Sequence, residues 1–206
     1  MTPAGSFMKA LSAENLLPVA QDLAEVALDS ALSEGVLREI PLLSTVLGIG
    51  RAAVAARDQV FASKVSRFVA TVGKLSRSER ARMVDELAGT DSLKERVGLA
   101  ILDLLEKSDP IEKPKLIGNL FVAMGQGKIP GRDILRLSSM ITGAFVEDLE
   151  LLAASHEATQ IEHGRRFALQ ANGFLISEVG ELYAGGGTRL EWRISKDGRT
   201  ILDHCF

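Results

Sequence analysis

His156, His163 and His204 are the only imidazoles in this chain, and its one cysteine, Cys205, directly follows the last of them. Metal binding needs such groups converging on one point. His156 precedes Glu157 and His163 follows Glu162, and adjacent residues on a helix diverge rather than share a ligand. The seven residues from His156 to His163 make two helical turns, roughly 10 Å of rise, too far for one ion. With no H-E-x-x-H element and no cysteine pair, neither a metal nor a cofactor is expected.

Nucleophilic chemistry fares no better. Ser155–His156 and His204–Cys205 are neighbours in sequence, but adjacency supplies neither an oriented base nor a third group behind it. Glu147 and Glu150 share a helix face, where solvated acids are far commoner than a glycosidase pair. "GIGRAA" at Gly48–Ala53 and "GGGT" at Gly185–Thr188 both lack the spacing of a phosphate loop. The expectation is a protein that is not an enzyme, with no small-molecule substrate.

What remains is a set of cations near the end of the chain: Arg165, Arg166, Arg189, Arg193, Lys196 and Arg199. The elements that must position them are a helix ending near Gly173, strands in "EVGELY" and "TRLEWRIS", a reversal at Gly185–Gly187, and a last short helix capped by Ser195. Residues 159–206 balance these six cations against six acids. Dedicated nucleic-acid modules are usually more basic.

Upstream, the pattern is helical. Aromatics are 5 % of residues, which favours helices over sheets. Leu16, Val19, Leu23 and Val26 form one apolar stripe with Pro18 near its start and Gly35 as its stop. Phe61, Val65, Phe68 and Val72 form a second, with Lys64 and Arg67 pointing away. "SRSE" at Ser76–Glu79 and "SLKE" at Ser92–Glu95 read as capping boxes, before Met83, Val84 and Leu87 and before Val97, Ile101 and Leu104. "DPIE" places Asp109 at a cap and Pro110 at the first helical position, ahead of Leu116, Leu120, Phe121 and Met124. One long helix capped by Asp133 is predicted to carry Ile134, Leu137, Ile141, Phe145 and Leu149 on a single face.

The order helix, strand, flexible tip, strand, helix over 159–206 resembles the C-terminal part of a winged-helix domain. That resemblance implies phosphate contacts from Arg165 and Arg166 on the helix before the wing, and from Arg189, Arg193 and Lys196 on and beside the wing, with Trp192 anchoring the sheet. The wider pattern, from "EIPLLSTVLGIGRAAVAARDQVFASKVSRFVATV" through the short capped helices to this ending, resembles an uncharacterised group of small bacterial helical proteins. It implies a fold and no activity.

The expected fold is mainly α, a multi-helix bundle of about six helices with a small C-terminal β-hairpin, winged-helix-like. Residues 1–130 form a helical body and 131–206 a C-terminal module packed with it. The opening lacks the basic start and apolar run of a secretory signal, so a cytoplasmic protein is expected.

Net charge is −3, with eight Lys/Arg against four Asp/Glu in 31–80 and the reverse, four against eight, in 81–112. The leading function is protein interaction, with a partner or by self-association. Nucleic-acid binding through the wing is one alternative. The other is membrane association through "IPLLSTVLGIGRAAVAA", in which Leu42, Leu43, Val46, Leu47 and Ile49 are apolar and Arg51 alone is charged. The same six residues are equally candidates for contact with a protein partner.

Overall fold

The computed structural model describes residues 2–13, 16, 56–109, 111–182 and 188–206. Leu42, Leu43, Val46, Leu47, Ile49 and Arg51, most of the first apolar stripe, Pro110 and the glycine reversal lie outside them. Among the described residues there are nine α-helices and one two-stranded antiparallel sheet, against the expected six or so helices. The body contains α1 (Pro3–Leu11), α2 (Ala56–Val72), α3 (Arg77–Leu87), α4 (Asp91–Lys107) and α5 (Lys113–Gly125). The C-terminal part contains α6 (Gly131–Gly143), α7 (Val146–Ser155), α8 (His163–Ala171), β1 (Leu175–Leu182), β2 (Thr188–Ile194) and α9 (Lys196–Cys205). A single 3₁₀ turn, Ala158–Gln160, joins α7 to α8.

Local chemistry sets most boundaries. Thr2 caps α1 ahead of Pro3, accepting from the Gly5 amide at 3.3 Å. The Ser76 box forms as predicted: its hydroxyl accepts from the Glu79 amide, and the Glu79 carboxylate accepts from the Ser76 amide at 2.8 Å. The second box does not. Thr90 caps α4 two residues earlier, accepting from Leu93, because its hydroxyl reaches the free amides first. Helix α4 buries Val97, Ile101, Leu102 and Leu105 and leaves Leu104 only half-buried.

Helix α5 also starts later than predicted, with Glu112 at the cap and Pro114 in the first turn, where its missing N–H costs nothing. Asp109 instead pairs with the buried Lys113 at 2.8 Å. Pro130 rather than Asp133 is the cap residue of α6, and Asp133 sits in its first turn.

The core is built where α1, α2, α4 and α5 meet. Phe68 stacks edge-on against Phe121 at 5.1 Å between centroids and lies 6.1 Å from Phe7. Val65, Phe68 and Val72 are fully buried and Phe61 is half-buried, as their spacing requires. Lys64 does not point away. It is buried, and its ammonium donates to the Glu106 carbonyl at 2.6 Å, satisfying the end of α4. Burial lowers the Lys64 pKa, and Asp109 and Glu106 oppose that shift.

Arg80 is another buried cation. It donates to the carbonyls of Leu75 at 2.6 Å and Ala13 at 2.9 Å, tying the end of α1 to the α2–α3 turn. Burial chiefly, then Arg77, lowers its pKa.

Helix α9 returns to the body. The Cys205 thiol donates to the Leu116 carbonyl at 3.4 Å, and Asn119 donates to the Cys205 carbonyl at 3.1 Å. Gly173, at φ +82°, turns the chain from α8 into β1, a left-handed position that a side chain would strain. Ser195 then caps α9 through the Gly198 amide at 2.8 Å and donates to the Gly173 carbonyl at 2.6 Å. The hairpin is thus stitched at its base. Ile201 and Leu202 of α9 are buried, and α9 packs on α5.

Candidate interaction surface

The predicted long helix is two helices. Ala144 and Phe145 both have extended ψ values, and α7 restarts at Val146. Phe145 occupies the cap position of α7, makes no side-chain capping bond, and stands 69 % exposed. Periodicity alone places it in the core. The break swings it outward while Leu149 stays fully buried.

Helix α7 buries Asp148, Leu149 and Leu152 and presents Glu147, Glu150 and Leu151 to solvent. It ends on His156, in the left-handed conformation at φ 55°, and the chain turns into α8. Arg165 on α8 reaches back to the buried Asp148 carboxylate, and its Nε lies 3.8 Å from Glu162. This ion pair is the bolt across the turn.

The hairpin register sets Leu175 opposite Ile194, Ser177 opposite Trp192 and Val179 opposite Leu190. One sheet face therefore carries Trp192 toward α8, and the other carries Ile176, Glu178, Glu191 and Arg193. Trp192 is buried, with Phe167 edge-on at 5.1 Å and His163 at 6.4 Å. The Arg166 guanidinium lies over its ring at 5.5 Å. Val179, nearer the tip, is 70 % exposed.

Three of the predicted phosphate contacts are engaged by neighbouring side chains. Arg165 is bound to Asp148, Arg166 is stacked on Trp192, and Arg193 lies within 3.5 and 3.6 Å of Glu178 and Glu191. Lys196 is exposed at the first position of α9. Arg189 is described through its backbone alone, in β2. Residues 137–164 hold five carboxylates and no lysine or arginine. Helix α7 and its turn therefore present an acidic surface. The net composition hid this local imbalance.

The nucleophile candidates have structural roles. Cys205 is buried, and burial pushes its thiol pKa far up, the opposite of what a reactive cysteine needs. Ser155 donates to the Leu152 carbonyl at 3.3 Å. Among the described residues no three His, Cys, Asp or Glu side chains are placed to share a metal ion, and no helix is long and apolar enough to cross a membrane.

Two of the depressions among the described residues bear on the site. The larger, about 880 Å³, lies among α1, α3 and α4 and is lined by cations and carboxylates together, including Lys94 and Asp91, which pair at 3.5 Å. The smaller, about 420 Å³, lies between the start of α7 and α8, lined by Phe145, Glu147, Asp148, Gly164, Arg165 and Ala168. Gly164 is notable within it. It has no positive φ, and a Cβ added there would meet nothing within 4 Å.

No family model, curated protein or solved structure matches this chain. The surface alone carries the functional argument.

Proposed function

We propose that this is a non-enzymatic protein-interaction protein, and that its contact surface is the face formed by α7, α8 and the hairpin. The observation that carries this is the exposure of Phe145, Leu151, Phe167 and Val179, all within that C-terminal part. Scattered apolar residues on a surface need no explanation, but among the described residues seven of the eleven exposed large hydrophobics fall in 145–206, a concentration that does. Aromatic anchors of this kind dominate binding energy at protein interfaces.

Charge favours a protein over a nucleic acid. In a phosphate-binding winged helix, the helix before the wing offers free cations. Here Arg165 and Arg166 are committed to Asp148 and Trp192, and the preceding helix adds carboxylates that repel phosphate.

The test is a photo-crosslinking amino acid at position 145, compared with the same group at exposed Glu95 on α4. A covalent protein adduct of discrete size from position 145 alone is expected. A mixed-sequence duplex titrated with salt supplies the opposing result. Tight, salt-sensitive binding that Arg189→Ala with Arg193→Ala removes would replace this reading with the nucleic-acid one.

A further inference from the structure

Two residues in the α7–α8 groove break local rules with no compensation among the described residues. Phe145 holds a cap position it cannot serve, where Ser, Thr, Asp or Asn would supply a hydrogen bond, and it places an aromatic ring in water. Gly164 weakens the first turn of α8, yet no neighbour approaches closely enough to require a glycine. Departures of this sort concentrate where a sequence serves a partner rather than its own fold. Both border the same groove.

Charge gives the chemistry of that partner. Glu147, Glu150, Glu157 and Glu162 are exposed on α7 and its turn. Among the described residues that line the groove, the one cation is Arg165, already matched by Asp148 and Glu162. Glu147 lines the groove, and Glu150 lies about one turn further along α7, so the complementary occupant is cationic where it meets α7 and apolar where it meets the Phe145 ring. It must also come close to the α8 backbone, which the missing side chain at Gly164 permits.

We propose that the groove between α7 and α8 receives a cationic amphipathic segment of a partner protein, with an apolar side chain against Phe145 and lysines or arginines against Glu147 and Glu150. This rests on the protein-contact reading above and specifies the partner's chemistry.

The probe is a fluorescent two-heptad helical peptide of lysine and leucine, with a glutamate-for-lysine version as its control, measured by anisotropy on the full chain. Saturable binding of the cationic peptide alone is expected. Phe145→Ser, Gly164→Leu and the pair Glu147→Lys with Glu150→Lys should each weaken it about tenfold or more, as interface anchors do. The pair Glu95→Lys with Asp103→Lys, on exposed α4 positions, makes the same change in net charge and should leave affinity within about twofold if local charge decides. Thermal melts check that each variant is folded.

No binding by the wild type, equal loss from the α4 pair, or affinity indifferent to Phe145→Ser would each overturn the proposal. If the chain instead self-associates in sedimentation and Phe145→Ser abolishes that, the cationic-partner inference falls and the protein-contact reading stands. Failure of both peptide binding and position-145 crosslinking would remove the two together.

Discussion

Replacing Gly98 with alanine should loosen α1 from the body, although alanine is the better helix former. A Cβ at position 98 would lie 2.5 Å from the Ala4 carbonyl oxygen and 2.8 Å from Met8 Cγ. The Met8 side chain can adjust, but the Ala4 carbonyl is helix backbone, so α1 must back away as a unit. That movement opens contacts made by Phe7, Met8 and Leu11, all fully buried. Overpacking of this kind costs about 1–3 kcal/mol. Against it stands about 1 kcal/mol of improved helix propensity. Taking the middle of that range, the net expectation is a loss of about 1 kcal/mol, roughly 2–4 °C in melting temperature for a chain of this size. Circular dichroism melts of wild type, Gly98→Ala and Gly89→Ala provide the measurement, since a Cβ at Gly89 meets nothing within 4 Å. A Gly98→Ala variant as stable as wild type, or more stable, would refute the seating of α1 on α4.

Gly164→Ala should act in the opposite sense, raising stability by about 0.5 kcal/mol because its Cβ enters open space, and chemical denaturation reads the sign. Trp192→Ala removes a buried aromatic stacked by Phe167 and Arg166 and should cost about 3–5 kcal/mol; the retained Trp192 of a Phe167→Ala variant, the chain's only tryptophan, should show red-shifted emission as water reaches it. Glu79 has its pKa lowered chiefly by the Ser76 hydroxyl, so its capping contribution is present above the unfolded carboxylate pKa and is lost as pH falls through the folded value. Glu79→Gln should flatten the acid limb of the stability curve. For Cys205 the folded pKa is raised by burial, so above the ordinary thiol pKa only the unfolded chain ionises and stability falls with rising pH; thiol-reagent labelling should be slow and should track unfolding, and rapid labelling of native protein would contradict its burial.

The body was legible because its residues obey two local rules together. Ser76 and Glu79 cap each other whatever lies around them, and the three- and four-residue steps of Val65, Phe68 and Val72 permit one buried face. The errors came from choices between equivalent signals. Thr90 and Ser92 are both competent caps, and only the turn leaving α3 decides between them. Pro110 and Pro114 both suit a first turn, and Asp109 was drawn away by Lys113. Lys64 was misplaced for a different reason. A lysine on a polar face reads as solvated until another helix ends against it, and no sequence pattern states where the carbonyls of α4 will be.

The candidate site was harder to read because the same periodicity that finds a core conceals a break in it. Ile134, Leu137, Ile141, Phe145 and Leu149 keep helical spacing without interruption, so the pattern buries Phe145. Yet α6 ends at Gly143, and the extended residues Ala144 and Phe145 reset the phase before α7. After that reset Leu149 still faces inward and Phe145 does not. Gly143 was the available signal, a helix stop within an apparently continuous stripe. The charge signal was present too, but it was diluted by counting 159–206 as one neutral unit. Counted over α7 and its turn, the carboxylates stand without lysine or arginine, and Arg165 immediately after them is held by Asp148. That arginine ties α8 to α7 through Asp148, and among the described residues no other side chain covers the Phe145 ring, which is why the groove and not the arginines carries the proposal.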